Sequence, residues 1–268
     1  STEEDFRNSF IFSNQISKLF KMWICSCYNM ADVLITPTEY SKKLLLGYGI
    51  KKPIYAVSNG IDINFYKAKP SDREEFRKAF GFSDGDKVVM SAGLLFERKG
   101  ILDFVKLAER LPNYKFIWFG SVSRGLIPRK VKKALDKKLP ILFFPGFLPA
   151  DKLKQAYVGS DLFFFASKEE TEGIVLLEAL AAGSKILLRS IPAFSWVADK
   201  KEVYKSDNVV DMEQKITAIL EGRLPDISAN GRNKVLEKDL NNIGKQLYEV
   251  YTAAIVIASE NSTEKLAV

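Results

Sequence analysis

The chain has 268 residues, of which 47% are hydrophobic and 27% are charged, a composition typical of a globular protein that excludes a disordered chain. Its 40 basic and 33 acidic residues give a formal net charge of +7, which favours anionic partners: nucleic acid, an anionic membrane surface or a phosphate-bearing substrate. The absence of histidine excludes a Ser-His-Asp triad, a Cys-His dyad and any histidine-ligated metal site within the chain.

The first 66 residues predict only part of an α/β domain. The predicted elements are, in chain order, an aromatic helix over 4–29, a strand at Asp32–Thr36, a helix over 39–46 and a strand at Ile54–Val57. Thr38 is positioned to cap the second helix. Two strands and two helices do not complete a doubly wound domain, and the sequence does not begin with Met. We therefore expect that the chain starts inside a domain whose first strands are absent.

The first predicted helix has two interpretations. Residues 6–24 are rich in aromatic and aliphatic side chains and also contain Arg7, Lys18 and Lys21. An aromatic, basic, amphipathic helix of this kind can lie in a membrane interface. Alternatively, its apolar face covers the sheet of the incomplete domain.

From residue 84 onward, strand-like and helix-like segments alternate. The predicted strands are Lys87–Ala92, Lys115–Phe119, Ile141–Phe144, Asp161–Ala166 and Lys185–Leu188. The predicted helices lie at 100–111, 127–138, 150–159, 173–182 and 211–222, followed by a last helix at 239–258 and a frayed tail. Continuous apolar runs in the strands are typical of a parallel sheet covered on both faces. The pattern predicts a doubly wound α/β domain whose ligands bind at the carboxyl ends of the strands.

A basic segment lies within this domain. Residues 123–138 contain seven basic residues and one acidic residue. They form either a solvated helix face or a surface that attracts anionic lipid.

The segment Glu170–Glu178 joins a buried strand to a helix that begins near Gly173. Backbone N–H groups at a helix start suit a phosphate, and carboxylates accept hydrogen bonds from the hydroxyls of a sugar or a ribose. Glu178 lies more than one turn into the helix, in an otherwise apolar stretch, where a buried carboxylate needs a partner. The alternative is a helix-terminal charge at Glu170 and a solvated Glu178.

A second segment, Gly93–Gly100, follows the first strand of the domain. Its glycines allow close backbone approach, and Arg98 and Lys99 bring positive charge to the end of the strand, which suits a diphosphate. A surface turn with solvated cations is the alternative.

A third segment, Val57–Phe65, contains an Asn-Gly turn and, taken alone, predicts an interdomain loop.

Together these segments resemble the family 4 glycosyltransferases, which are retaining, nucleotide-sugar-dependent enzymes of the GT-B fold. The matching segments are Ala31–Ser41, Val57–Phe65, Gly93–Gly100, Glu170–Glu178 and Ala181–Gly183. The resemblance implies an α/β chain of GT-B type, with one complete Rossmann-like C-terminal domain and the C-terminal part of an N-terminal one. The implied divisions are an incomplete acceptor and membrane domain with its linker over 1–66, a nucleotide-sugar-binding domain over 67–238, and a helix that crosses back to the N-terminal domain, with a tail, over 239–268.

The resemblance also implies roles for single residues. Glu170 would contact the donor sugar near the reacting centre, and Lys99 would bind the diphosphate and stabilise the charge of the leaving group. Glu178 would bind the ribose hydroxyls. The remaining donor-binding positions would be Gly93, Arg98, Gly173, Ile174 and Val175. Transfer would proceed with retention, without a metal or another cofactor.

The sequence departs from the family pattern at two positions. The family usually has arginine where this chain has Leu94, and Arg98 would substitute for it. The family commonly has phenylalanine where this chain has Glu172.

A narrower resemblance points to a lipid acceptor. It rests on the segments Ser1–Phe12, Thr36–Lys42, Phe96–Gly100, Phe116–Gly120 and Glu169–Val175. These resemble bacterial glycolipid synthases, especially Gram-positive enzymes that galactosylate monoglucosyl-diacylglycerol. The resemblance implies a UDP-sugar donor, UDP-galactose ahead of UDP-glucose, and a diacylglycerol glycolipid acceptor whose product serves as a membrane lipid and lipoteichoic acid anchor. It also implies a cytoplasmic protein, peripheral on the inner face of the cell membrane, and the low cysteine count is typical of a reducing cytosol.

Two other functions remain open. One is a transferase of the same family that builds a polysaccharide or glycosylates a protein. The other is a catalytically silent subunit that binds a nucleotide-sugar. This hypothesis stays open because Leu94 replaces the family arginine and because the first strands of the N-terminal domain are expected to be absent. Nucleic-acid binding rests on charge alone and is not expected.

Overall fold

The computed structural model describes residues 13–266, with side chains at 19–123 and 125–260. Positions 4–12 of the first predicted helix therefore lie outside the described residues. The chain divides into two compact units. The first contains the chain up to Gly60, the short segment Glu170–Glu172 and the chain from Lys238 onward, and the second contains Ile61–Glu169 and Gly173–Glu237. The functional division predicted at residues 66 and 238 stays a prediction.

The regular elements follow one another in an alternating order. The helices are α1 (Ser13–Asn29), α2 (Glu39–Gly47), α3 (Pro70–Phe80), α4 (Ile101–Arg110), α5 (Arg129–Leu135), α6 (Ala150–Gly159), α7 (Ile174–Ala182), α8 (Val209–Leu220), α9 (Ser228–Val235) and α10 (Leu240–Leu266). The strands are β1 (Leu34–Thr36), β2 (Ile54–Ala56), β3 (Val88–Ala92), β4 (Lys115–Phe119), β5 (Leu142–Gly146), β6 (Leu162–Phe165), β7 (Ile186–Arg189) and β8 (Tyr204–Ser206).

The first unit contains a small parallel sheet in which β1 pairs with β2. The Thr38 side chain caps α2 by accepting a hydrogen bond from the Ser41 amide at 3.1 Å, which confirms the predicted cap. Val57, just after β2, packs in a core cluster with Ile243 and Val250 of α10. Helix α10 continues to Leu266, past the predicted end at 258, because residues 259–266 contain neither glycine nor proline to stop it. The prediction of a frayed tail from 259 is therefore wrong for the described residues.

The second unit is built around a six-stranded parallel sheet in the order β5-β4-β3-β6-β7-β8. Every residue of β3 and β6 is buried, which confirms the prediction of strands buried on both faces of a parallel sheet. The chain leaves the sheet in opposite directions from β3 and β6, which makes their carboxyl ends the topological switch point where ligands of such sheets bind. The loops at these two ends are residues 93–100 and 166–173.

Three elements have no counterpart in the sequence prediction: α3, α9 and β8. Helix α9 contains Gly231, and a Cβ there would lie 2.7 Å from the carbonyl oxygen of Glu202, so the glycine is kept by tertiary packing and not by local turn formation. Strand β8 has only three residues, too few to show a periodic pattern. Helix α3 is highly charged but buries Asp72 and Arg77, and Arg77 donates to Asp161 at 2.8 Å.

Candidate functional site

The loop after β3 is held close to the sheet. The carbonyl of Gly93 accepts a hydrogen bond from the indole N–H of Trp118 at 2.9 Å, and the Gly93 amide donates to the Phe119 carbonyl at 2.9 Å. Residues Glu97–Lys99 form one 3-10 turn, and Gly100 then opens α4 with φ +82°. Arg98 and Lys99 are half-buried at the carboxyl end of β3, where the sequence predicts them.

The loops after β3 and β6 are in direct contact. A Cβ on Gly100 would lie 2.3 Å from the carbonyl oxygen of Ala166, so only glycine fits there without displacing one loop. The carbonyl of Arg98 accepts hydrogen bonds from the Lys168 amide at 2.7 Å and from the Ser167 hydroxyl at 3.2 Å. Through these contacts, the loop that carries Arg98 and Lys99 is packed against and hydrogen bonded to residues 166–168 of the loop after β6.

The second loop ends at Gly173, which precedes α7 with φ +80°. Its missing side chain leaves room for two aromatic rings, because a Cβ there would lie 3.0 Å from both Phe165 and Phe194. Ile174 is exposed and Val175 is half-buried in the first turn, where the backbone N–H groups of a helix have no partner within the helix. This arrangement suits the predicted approach of an anionic donor to the start of α7.

Glu178 lies one turn farther along α7 and is half-buried. Its Oε2 accepts a hydrogen bond from the hydroxyl of Tyr157 at 2.8 Å, which confirms the expectation that a carboxylate in this apolar stretch has a partner. Tyr66 lies close enough to Glu178 for the two side chains to shift each other's pKa. Burial raises the pKa of the Glu178 carboxyl, and the two phenols oppose that shift only in part. Burial and the nearby Glu178 charge raise the pKa of both Tyr157 and Tyr66, so both hydroxyls stay protonated and act as donors.

Glu170 opens a short segment that belongs to the first unit. Within that unit, the carbonyl of Thr171 accepts hydrogen bonds from Thr38 Oγ1 at 2.8 Å and Ser41 Oγ at 3.2 Å. Glu170 itself is half-buried. The segment is thus attached by its backbone to the start of α2.

Glu172 has a structural environment that the sequence does not reveal. It is 1% exposed. It accepts hydrogen bonds from the Ser58 hydroxyl, from the amide and side chain of Asn59 at 2.9 and 2.8 Å, and from the Lys238 ammonium at 3.1 Å. The position that departs from the family pattern therefore holds a fully paired buried carboxylate.

Predicted site residues are distributed over both units. The second unit contains seven of them, which are Gly93, Arg98, Lys99, Gly173, Ile174, Val175 and Glu178. The first unit contains Glu170. Sequence reasoning missed Tyr66, Tyr157 and Glu172, because their partners are remote in sequence and no motif spacing connects them.

The described residues contain no group of three or more cysteine, aspartate or glutamate side chains arranged to hold a metal ion. None of the helices over 13–266 is long and apolar enough to cross a membrane.

Comparison with known proteins identifies the family. Residues 72–235 match the family described as Glycosyl transferases group 1, which covers more than half of the chain. The chain belongs to this family. The family resemblance seen in the sequence is confirmed.

Among curated group 1 relatives, the processive diacylglycerol alpha-glucosyltransferase of Acholeplasma laidlawii is 39% identical over 96% of this chain and 78% of its own length. The alpha-galactosylglucosyldiacylglycerol synthase of Streptococcus pneumoniae is 28% identical over 87% of this chain. The alpha-monoglucosyldiacylglycerol synthase of the same organism is 25% identical over 88%. This chain spans 61% and 55% of the two pneumococcal proteins.

Two solved structures agree with the architecture. Anabaena HepE in complex with UDP and glucose aligns with a TM-score of 0.79 at 20% identity, over 89% of this chain and 67% of that chain. Sucrose-phosphate synthase from Thermosynechococcus elongatus aligns with a TM-score of 0.80 at 16% identity, over 92% of this chain and 64% of its own. The α/β GT-B fold prediction is confirmed.

Proposed function

We propose that this glycosyltransferase is a retaining hexosyltransferase that moves glucose or galactose from a UDP-sugar onto a diacylglycerol glycolipid in a membrane. The observation that carries the proposal is the 39% identity, over 96% of this chain, with a processive diacylglycerol alpha-glucosyltransferase. Both pneumococcal relatives are also diacylglycerol glycolipid synthases by name. The acceptor we propose is monoglucosyl-diacylglycerol or a related lipid.

The donor assignment draws on the two loops at the switch point of the sheet. In our proposal Lys99 and Arg98 bind the diphosphate, the start of α7 faces the same group, and Glu178 accepts hydrogen bonds from the ribose. A UDP-sugar is supported by the fold neighbour HepE, which binds UDP-glucose. The name of the Acholeplasma relative supports glucose as the first sugar to test, with galactose supported by one pneumococcal relative.

We propose retention because the sugar has the α configuration both in the donor and in the proposed product. The sugar of UDP-glucose is α-linked, and an enzyme that forms an α-glucoside from it keeps that configuration. Glu170 would contact the sugar near the reacting carbon. Positive charge from Lys99 and Arg98 would stabilise the departing diphosphate electrostatically, so we propose transfer without a metal or other cofactor.

We also propose that the protein binds peripherally to the cytoplasmic face of the cell membrane. Helix α1 exposes Leu19, Met22 and Trp23, which are 61–68% exposed, and Lys21 lies in the same turn region. Apolar and aromatic side chains beside a basic residue are typical of interfacial helices. In the second unit α5 presents exposed basic side chains, which would be attracted to anionic lipid.

Calorimetric titration of this chain with UDP-glucose, UDP-galactose and UDP tests the donor site. We expect binding that Glu178→Ala abolishes and that Glu74→Ala, a matched change at an exposed position of α3, leaves unchanged. No binding by the folded wild-type chain, or binding unaffected by Glu178→Ala, would contradict the assignment.

The acceptor is tested with radiolabelled UDP-glucose and vesicles that contain monoglucosyl-diacylglycerol, with and without an anionic lipid. We expect a dihexosyl lipid whose formation increases with anionic lipid. Transfer only to a polysaccharide or protein acceptor would favour the second transferase hypothesis. Donor binding without transfer to any acceptor would favour the silent nucleotide-sugar-binding subunit.

A further inference from the structure

Tyr157 is a fully buried tyrosine whose hydroxyl has one charged partner. It lies on α6 and is 1% exposed, and its hydroxyl donates to Oε2 of Glu178 at 2.8 Å. The two residues are 21 positions apart and on different helices.

The ring of Tyr157 is held from several directions. It packs edge-on against Phe163 of β6 with centroids 5.3 Å apart, and edge-on against Tyr66 at 6.4 Å. The backbone carbonyl of Tyr157 accepts a hydrogen bond from the Ser184 hydroxyl at 3.1 Å. A ring fixed in this way presents its hydroxyl at one defined point.

The carboxylate of Glu178 does not have this rigidity by itself. The terminal torsion of a glutamate side chain is broad, so the direction of its lone pairs is set by hydrogen-bond partners. An ionised carboxylate offers about four acceptor positions on its two oxygens. Tyr157 takes one on Oε2, and the ring of Tyr66 packs against that of Tyr157, so acceptor positions remain for a ligand in a defined orientation.

We propose that Tyr157, together with Tyr66, is a positioning residue that orients the Glu178 carboxylate toward a vicinal diol, and so makes the donor site selective for ribonucleotides over deoxyribonucleotides. This inference rests on the proposed function, which assigns Glu178 to the ribose. Because the Tyr157 phenol donates to the carboxylate, it favours the ionised form, which can accept hydrogen bonds from both ribose hydroxyls. Neither tyrosine need touch the nucleotide.

The test compares UDP with 2′,3′-dideoxyuridine diphosphate, which lacks the diol. Calorimetry is performed on wild type, Tyr157→Phe, Tyr66→Phe and a matched control, Tyr204→Phe. Tyr204 is 5% exposed and donates its hydroxyl to the Pro225 carbonyl at 2.8 Å, so the control also removes a buried phenolic hydrogen bond. Folding of each variant is checked by its thermal transition.

We expect Tyr157→Phe to weaken UDP binding by about tenfold, the scale of one hydrogen bond to a charged group, and to leave dideoxy nucleotide binding unchanged. Tyr66→Phe should show the same selectivity, and it keeps the test decisive if Tyr157→Phe does not fold. Tyr204→Phe should affect neither nucleotide. An equal loss for both nucleotides in the tyrosine variants indicates a general structural role and overturns the inference.

If wild type binds UDP, Glu178→Ala abolishes binding and both tyrosine variants bind UDP normally, the proposed function stands and the positioning role is wrong. If folded wild type does not bind UDP, the proposed function falls and the inference falls with it.

Discussion

The carboxylate of Glu172 lies 3.1 Å from the ammonium group of Lys238, although the two residues are 66 positions apart. Glu172 is almost completely buried, whereas the Lys238 side chain keeps 18% of its surface exposed. Ser58 and Asn59 donate to the same carboxylate, so its charge is compensated on several sides. A buried carboxylate of this kind stabilises a fold only while its partners are present.

Removing this carboxylate should destabilise the first unit. We expect Glu172→Ala to lower the free energy of unfolding by roughly 2 kcal/mol or more, because it leaves buried donors without an acceptor. Glu172→Gln should also be destabilising, because it keeps one acceptor oxygen but places an NH2 donor against groups that themselves donate. Urea unfolding followed by circular dichroism measures the effect, with Glu249→Ala at an exposed position of α10 as control. Equal stability of Glu172→Ala and wild type would contradict the prediction.

A methyl group at Gly100 should disturb both loops of the candidate donor site. Gly100 has φ +82°, and a Cβ there would lie 2.3 Å from the Ala166 carbonyl. Gly81 is a matched control, because its φ is +69° but its Cβ would meet no atom within 4 Å. We expect Gly81→Ala to cost about 1 kcal/mol from backbone conformation alone and Gly100→Ala to cost clearly more and to weaken UDP binding. Thermal melts measure the stability of the two variants, and calorimetry measures their UDP affinity. Equal stability and equal UDP affinity of Gly81→Ala and Gly100→Ala would contradict the prediction.

Glu178→Gln should have opposite effects on binding and stability. Burial raises the pKa of Glu178 above the ordinary value of 4.5, so the charged form is disfavoured in the folded state. Its protonated form therefore stabilises the fold fully below about pH 4.5, and this contribution is lost as the pH rises through the raised folded-state pKa. We expect Glu178→Gln to match or exceed wild type in Tm at pH 7, to lose that advantage at pH 4, and to bind UDP at least about tenfold more weakly. A Tm of Glu178→Gln below that of wild type at pH 7 would show that the folded state does not disfavour the charged form of Glu178.

The cations after β3 should act on the diphosphate and not on the nucleoside. We expect Arg98→Ala and Lys99→Ala each to weaken UDP binding by about tenfold or more, and to leave uridine binding unchanged. Lys106→Ala, at an exposed position of α4, is the control for loss of one positive charge. Unchanged UDP affinity in Arg98→Ala would rule out its substitution for the family arginine at Leu94.

The central sheet could be predicted because its strands have local signals. The run Leu162–Phe165 is apolar throughout and is buried throughout, and the loops after β3 and β6 are marked by Gly100 and Gly173. The cap at Thr38 likewise depends on neighbours within one turn. Where a structure is determined by residues close in sequence, composition and spacing were sufficient.

The parts that could not be predicted depend on contacts between distant residues. Glu178 needed a partner, but nothing in its neighbourhood identified Tyr157, which lies on another helix. Glu172 departs from a family pattern, and only its contacts with Asn59 and Lys238 explain why a carboxylate is tolerated there. Helix α9 contains a glycine required by packing, which in sequence resembles a turn.

The contact between Gly100 and Ala166 has a consequence for protein engineering. The two loops are separated by more than sixty residues of chain, yet the backbone of one occupies the space that a side chain of the other would need. Exchanging residues 93–100 alone with those of a relative would bring in a loop shaped to a different neighbour. We therefore expect an exchange of residues 93–100 to preserve the fold of both loops only when residues 166–168 are exchanged with them.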